Sequence, residues 1–369
     1  MKINCNQAVL SKTLNVVSKA VPTRTTSKIL EGILLIAKDG KLILSATDTN
    51  ILIEETIDVE VIEEGELIVP SKLFTNIVRM LPNENISLTF SDESKELLVT
   101  CKNSISKLIG FSSDEYPKIK TENIKTKINI NKNLFKKMVQ KTAFSASVEE
   151  AKGVLIGVLI EISENEIKMV AIDGFRMAIN KSEIKGTEKT EIIVPAKLLL
   201  DVSKIINSDE EDENEILIQT NNNKIVFNFD NTKVIINLLN GEFIKYNNIV
   251  PKNNDISIRV MKSELSECIE RAAILTNELN HNLIKFSIKD TEMELSSLSE
   301  VGKINEIIEI IKDGPDIEIG FNSRYLIDLL KVIEDEEIMI YMTNSVSPCL
   351  IKPLTGDKYV YLILPVRIN

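Results

Sequence analysis

Three pairs of bases recur along the chain at matching places. Lys72, Lys197 and Arg324 lie 125 and 127 residues apart, and seven residues beyond each comes a second base: Arg79, Lys204 and Lys331. Seven residues are about two helical turns, so each pair shares one helix face. Cations in that arrangement suit phosphate oxygens. No aromatic stacking platform accompanies them, so they would position a polyanion without reading bases. Other chemistry is poorly supplied. A single histidine, His281, in 369 residues leaves little room for a histidine-based triad and none for a histidine-rich metal site. There is no GxGxxG, P-loop or HExxH. The paired carboxylates Asp114-Glu115 and Glu149-Glu150 fall in expected loops, where solvation is their role. Asp173-Gly174 reads as the turn of a hairpin. Cys5, Cys101, Cys268 and Cys349 have no CxxC or CxxH spacing and read as free buried thiols. No catalytic centre, cofactor or metal is expected.

Each base pair sits in a strand-to-helix segment: GELIVPSKLFTNIVRML, TEIIVPAKLLLDVSKII and DIEIGFNSRYLIDLLKVI. Pro70 and Pro195 fit the first helical turn, where a missing N–H costs nothing. Other landmarks keep the same step. Leu10/Leu14, Leu134/Met138 and Leu265/Ile269 open three further amphipathic helices, and Asp48, Asp173 and Ser299 close three strands. Glu115-Tyr116 and Glu242-Phe243 are likewise in register. A period near 125 divides the chain into three units of one architecture, 1–120, 121–252 and 253–369. Each is large enough to bury its own core. Asp39-Gly40 is a hairpin turn, ILIEETIDVEVIEE reads as one strand, and residues 85–111 as a meander. Two helices and many half-buried strands per unit predict an α+β fold, helices on one side of mostly antiparallel sheet.

Composition, 43% hydrophobic and 27% charged, is that of an ordinary soluble protein. With no apolar run of eighteen residues and no signal-peptide core in MKINCNQ, a cytoplasmic location is expected. The net charge of −11 argues against nucleic acid if taken whole. It is unevenly spread: the six helical stretches (6–20, 71–80, 131–142, 195–206, 261–273, 322–333) sum to +9, which leaves −20 elsewhere. The acidic run Asp209–Glu215 reads as a solvated turn. Lys12, Lys19, Lys136, Lys137 and Lys141 join the recurring pairs on these faces, pointing to one surface that meets a polyanion. A domain of this size is roughly 35 Å across; three in a ring leave a hole of about 5 Å, and six leave about 35 Å. Only the second admits duplex DNA, so a head-to-tail pair of three-domain chains is the geometry to expect.

The triple unit, the two IVP-x-K segments, AIDGFRMA, RAAILTNE and the ending YLILPVRIN stand in order along the chain. By these marks together, and along its whole length, the chain resembles the beta subunit of bacterial DNA polymerase III, the replicative sliding clamp. The resemblance implies the DNA-clamp (processivity-factor) fold: three repeated domains, and a homodimeric ring with helices lining the channel and antiparallel sheets outside. It implies a job without catalysis, tethering the polymerase to DNA. The implied partners are duplex DNA, encircled without sequence preference, the DNA polymerase III catalytic subunit, the clamp loader, other proteins carrying clamp-binding motifs, and a second copy of the chain; no membrane or cofactor is implied. The rival reading is a repeat scaffold that binds only proteins.

The resemblance also implies sites. A peptide groove maps to Leu155, Ile172, Gly174, Phe175, Arg176, Met177, Ile244, Asn248, Ile249, Pro348, Leu362, Leu364, Pro365, Val366, Arg367 and Ile368. Phe175 stands where the family commonly has His, Ile244 where it has Pro, Asn248 where it has Arg, and Asn369 extends the usual terminus. For DNA, Arg24, Lys72, Lys152 and Lys197 match basic family positions, with Gly153-Val154 where an aromatic pair is common. For the dimer seam, Leu108, Ile274 and Leu275 match, with Ser106 at an aromatic position. The residues themselves support the groove's location. Pro365 stops YLILPVRIN from continuing as a ladder, leaving Val366 and Ile368 as apolar residues that are best explained if they line it.

Overall fold

The computed structural model of the chain describes residues 1–117, 119, 124, 126–185, 189–206, 214–278 and 281–368. Most of the acidic run (209–213), the first expected domain boundary at 120 and Asn369 lie outside the described residues.

Six α-helices stand among the described residues where the patterning places them: α1 (Gln7–Val17), α2 (Ser71–Met80), α3 (Lys132–Gln140), α4 (Ala196–Ile205), α5 (Lys262–Ala273) and α6 (Ser323–Val332). Local chemistry sets their starts. Asn6 caps α1, its side-chain oxygen accepting from the N–H of Ala8 at 2.9 Å and of Val9 at 3.3 Å. Asn322 caps α6, accepting from the Arg324 N–H at 2.9 Å. Pro70 and Pro195 do not open helices as expected; they end the strands Gly65–Pro70 and Thr190–Pro195. Pro70, at φ −58 and ψ 112, is the extended cap before α2. Both strands are sheet edges, where a residue without an N–H is tolerated. The stretch expected as one strand also breaks, at Val59, into Ile51–Asp58 and Glu60–Glu63, which join different sheets.

The chain forms two compact units, residues 1–132 with 204–238 and residues 133–203 with 239–369. The middle repeat is therefore shared between them. In the first unit, an eight-stranded antiparallel sheet is continuous because Thr232–Asn237 pairs with Ile51–Asp58, in register from Thr232↔Glu55 to Ile236↔Ile51. A five-stranded sheet runs Glu60–Glu63, Lys2–Asn6, Asn85–Ser91, Glu96–Cys101, Ser104–Ile109. α1 and α2 pack together, burying Leu10, Leu14, Val17, Phe74 and Val78 completely. In the second unit, a nine-stranded antiparallel sheet is continuous because Arg176–Glu183 pairs with Tyr359–Ile363, from Arg176↔Ile363 to Asn180↔Tyr359. A four-stranded sheet runs Gly302–Glu309, Glu292–Ser299, Leu283–Lys289, Ile317–Asn322. α5 and α6 pack over a core that includes Leu265, Ile269, Phe286, Ile319 and Leu330. Each such side chain contributes about 1.5–3 kcal/mol by leaving water. All four cysteines are free and buried. Burial pushes the Cys5 and Cys349 thiols up to about 12, far from thiolate chemistry.

Candidate docking groove and basic helix faces

The groove residues converge in the second unit. Its floor begins at a hairpin joining Glu166–Ile172 to Arg176–Glu183. Asp173 builds the turn: one carboxylate oxygen accepts from the N–H of Phe175 at 2.8 Å and of Arg176 at 2.9 Å. Gly174 takes φ 100, which side-chain-bearing residues rarely adopt. The turn leaves Phe175 55% exposed while Met177 is buried beside its strand partner Leu362. Beyond the last strand, Leu364 donates its N–H to the Phe175 carbonyl at 2.8 Å. Pro365 then releases the chain, and Val366 donates to the Gly320 carbonyl at 2.8 Å.

Leu155, Ile172, Met177, Leu362 and Leu364 thus belong to one apolar cluster, over Val170, Phe243, Tyr246 and Val360. Phe175, Ile244, Ile249 and Ile368 expose between 37% and 55% of their surface. Asn248 closes a short 3-10 turn and is exposed; Pro348, half-buried, precedes Cys349, which is registered against Ile363. Arg367 is exposed. Tyr246 beneath the cluster donates to Glu161, and its phenol is pushed above its ordinary range by burial and by that carboxylate.

Three contributors escaped the sequence reading: Tyr325, Asp328 and Phe144. Arg176 is held by Asp173 at 2.9 Å and by Asp328 of α6 at 2.6 Å. Its guanidinium lies 4.6 Å from the ring centre of Tyr325 and 5.5 Å from that of Phe144. Phe175 stacks on Tyr325 at 6.5 Å, and Lys152 sits 6.0 Å from the Phe175 ring. Tyr325, Asp328 and Phe144 carry no spacing signal, because their relation to Arg176 exists only after the strands pair. The phenol of Tyr325 is raised by burial first and by Asp173 second.

The basic residues lie on or beside helices. Lys72 and Arg79 on α2, Lys197 and Lys204 on α4, and Arg324 and Lys331 on α6 are exposed. Lys12 on α1 and Lys19 in the turn after it are also exposed, Lys136 and Lys137 on α3 are half-buried, and Arg24 and Lys152 stand exposed in connecting segments. Several already have carboxylate neighbours. Lys137 and Lys141 converge on Glu334 at 3.4 and 2.9 Å, and Arg324 meets Glu278 at 2.7 Å. The hydrogen bond from Lys141 holds the Glu334 carboxyl below its usual range.

Among the described residues, two of the longer edge strands expose isoleucine side chains. Ser104–Ile109 ends the five-stranded sheet, with Ile105 and Ile109 69% and 67% exposed, and Gly302–Glu309 ends the four-stranded sheet, with Ile307 63% exposed. Ile274, just past α5, is 75% exposed and Leu275 is half-buried. Leu108, expected at a seam, is 4% exposed and faces its own sheet's core. Strand alternation turns Ile105 and Ile109 outward in its place.

Models of the DNA polymerase III beta subunit match the chain in three successive parts. The N-terminal domain model covers residues 1–120, the central domain model 129–245 and the C-terminal domain model 247–367. The chain belongs to this family. A beta sliding clamp from Staphylococcus aureus is 33% identical over 371 residues, covering 96% of both chains. A structure from Eubacterium rectale assigned to the DNA polymerase III beta subunit shares 38% identity, with a TM-score of 0.94 over 99% of each chain. The DNA polymerase sliding clamp of Bacillus subtilis shares 28%, with a TM-score of 0.95 over the full length of each. The α+β sheets and repeated helix pairs described above are therefore those of the sliding-clamp fold. Among the described residues no group of ligating side chains could hold a metal ion, and no helix is long and apolar enough to cross a membrane.

Proposed function

We propose that this chain is a non-catalytic sliding clamp that closes around duplex DNA as a head-to-tail homodimer and tethers the replicative polymerase. Its three domains would divide near residues 120 and 252. The observation that carries the reading is two edge strands on different sheets, Ser104–Ile109 and Gly302–Glu309, which expose Ile105, Ile109 and Ile307. An open edge offers unpaired N–H and C=O groups to another strand. Two different edges on one chain, joined head to tail, close a ring when the rotation permits. The exposed bases of α2, α4 and α6 supply phosphate contacts without base recognition. The groove built on Phe175, Met177, Leu362 and Leu364 would take extended apolar peptides. Their sources would be the polymerase catalytic subunit, the clamp loader and other proteins carrying such motifs, in the cytoplasm. The names of the relatives and the full-length family match support this reading.

The test is topological. Loaded with its clamp loader onto nicked circular duplex, the protein should co-elute with the circle and be lost when the circle is cut. Retention on linear DNA, or no retention on circles, would leave a scaffold that binds only proteins.

A further inference from the structure

The third repeat carries glycine where the other two carry isoleucine. Ile68 and Ile193 precede the Val-Pro pairs of the first and second repeats, and the matching residue of the third is Gly320. All three carbonyls accept from the segment leaving their repeat: Ile68 from Phe111 at 2.8 Å, Ile193 from Leu239 at 2.9 Å, Gly320 from Val366 at 2.8 Å. A Cβ at Gly320 would come within 2.7 Å of Leu283 Cδ1 and of the Val366 carbonyl, and 3.1 Å of Ile368. Glycine is therefore what lets residues 366–368 lie directly on the four-stranded sheet.

Beside that crossing is a cavity of about 600 Å3, within the size range of ligand sites. Its wall includes Lys285, Lys303 and Arg367, with His281, Thr276 and Ser296. The sheet register explains the cluster: Lys285 opposes Ser296, and Lys303 opposes Leu298. Among the described residues no acidic side chain lines it, although the chain carries 55 acids against 44 bases. Lys285 has one carboxylate neighbour, Glu318 at 2.9 Å. Lys303 and Arg367 have none among the described residues. Leu364 belongs to the groove cluster, and Val366 two residues later already lines the cavity. At about 3.3 Å per extended residue, two or three further residues carry a peptide about 7–10 Å beyond the groove, along the side on which this cavity lies.

We infer that this cavity binds acidic side chains flanking the apolar core of a peptide docked in the groove. The inference rests on the groove reading above. Attraction between carboxylates and Lys285, Lys303 and Arg367 would favour acidic-flanked partners over neutral ones, and salt would weaken that preference.

Fluorescence anisotropy with the full chain tests it. Three labelled peptides share one alternating leucine core and carry Glu-Glu-Glu at one end, the same at the other end, or Gln-Gln-Gln at both. One Glu peptide should bind about tenfold tighter than the Gln peptide at low salt. In Lys285→Gln/Lys303→Gln that advantage should fall to twofold or less, while the Gln peptide binds both proteins equally. Sedimentation checks that the variant keeps its assembly. If it does not, Lys285→Gln alone, which lies off the open edge, should still lose part of the preference. Equal affinity of all three peptides for the unmodified protein, or a preference that survives both variants, overturns the inference. Failure of the Gln peptide to bind at all is a separate result and overturns the groove itself.

Discussion

The turn at Asp48 and the turn at Asp173 are one backbone device with two different surfaces. In each, the aspartate accepts from the N–H groups two and three residues on: Asn50 at 2.8 Å and Ile51 at 2.9 Å, Phe175 at 2.8 Å and Arg176 at 2.9 Å. In each, the following strand pairs with the last strand of the next repeat. Even the exit is shared: Asn237 donates to the Asn50 carbonyl at 2.9 Å, and Leu364 to that of Phe175 at 2.8 Å. What differs is the side chains. The first junction is sealed by polar groups, Asn237 donating a side-chain hydrogen bond to the Thr49 carbonyl at 2.9 Å. The second presents Phe175, Leu364, Pro365 and Val366 around an apolar floor. A docking site is thus made on a repeated scaffold by changing which residues the turn displays.

The most severe way to break the comparison is to delete residues 365–369. Peptide affinity should fall by about 100-fold or more, because a few buried anchors carry most of such binding energy. Strand Tyr359–Ile363, with all its registered pairs, is retained. Sedimentation and thermal melts should therefore show an intact fold. Wild-type affinity in an intact truncated protein would move the groove elsewhere.

A smaller effect tests the turns directly. Phe175→Ala removes the ring that stacks on Tyr325 and should weaken peptide binding about tenfold, the range for losing one aromatic contact and its buried area. Asn50→Ala, its counterpart in the first repeat, should leave that affinity within twofold. Equal losses at both would mean that the two junctions dock alike.

The smallest effect concerns pH. Glu55 follows the first turn, and the matching residue after the second, 125 positions on, is the neutral Asn180. One Glu55 carboxylate oxygen is buried with no hydrogen-bond partner, and the other is 3.5 Å from the Thr13 hydroxyl. Burial raises its pKa, against smaller lowering effects of Lys12 and Thr13, with Asp230 adding to the rise. The folded state therefore binds this proton more tightly than the unfolded one. Stability is lost as pH rises from the unfolded pKa through the raised folded one, and ionised Glu55 is a net cost at neutral pH. Glu55→Gln should raise the melting temperature at pH 7, on the order of 1 °C, and the gain should shrink as the pH falls toward the ordinary carboxylate range. A gain that is independent of pH would place the cause in packing.

Much of this was legible in the residues. The Asx turn at Asp173-Gly174, the Asp39-Gly40 hairpin, the helices and the free buried thiols all follow from interactions spanning a few residues, and such interactions leave periodic marks. So did the threefold repeat. Which strands would join was not legible. Thr232–Asn237 finds Ile51–Asp58, and Arg176–Glu183 finds Tyr359–Ile363, across intervals of about 180 residues. Alternation says which face of a strand is apolar and is silent on its neighbour. That choice split the middle repeat between two compact units. The inward face of Leu108, the seat of Arg176 among Asp173, Asp328, Tyr325 and Phe144, and the capture of Lys137 and Lys141 by Glu334 likewise follow from long-range packing. A side chain's burial and counter-charge are properties of whatever folds against it, so only the tertiary structure could decide them.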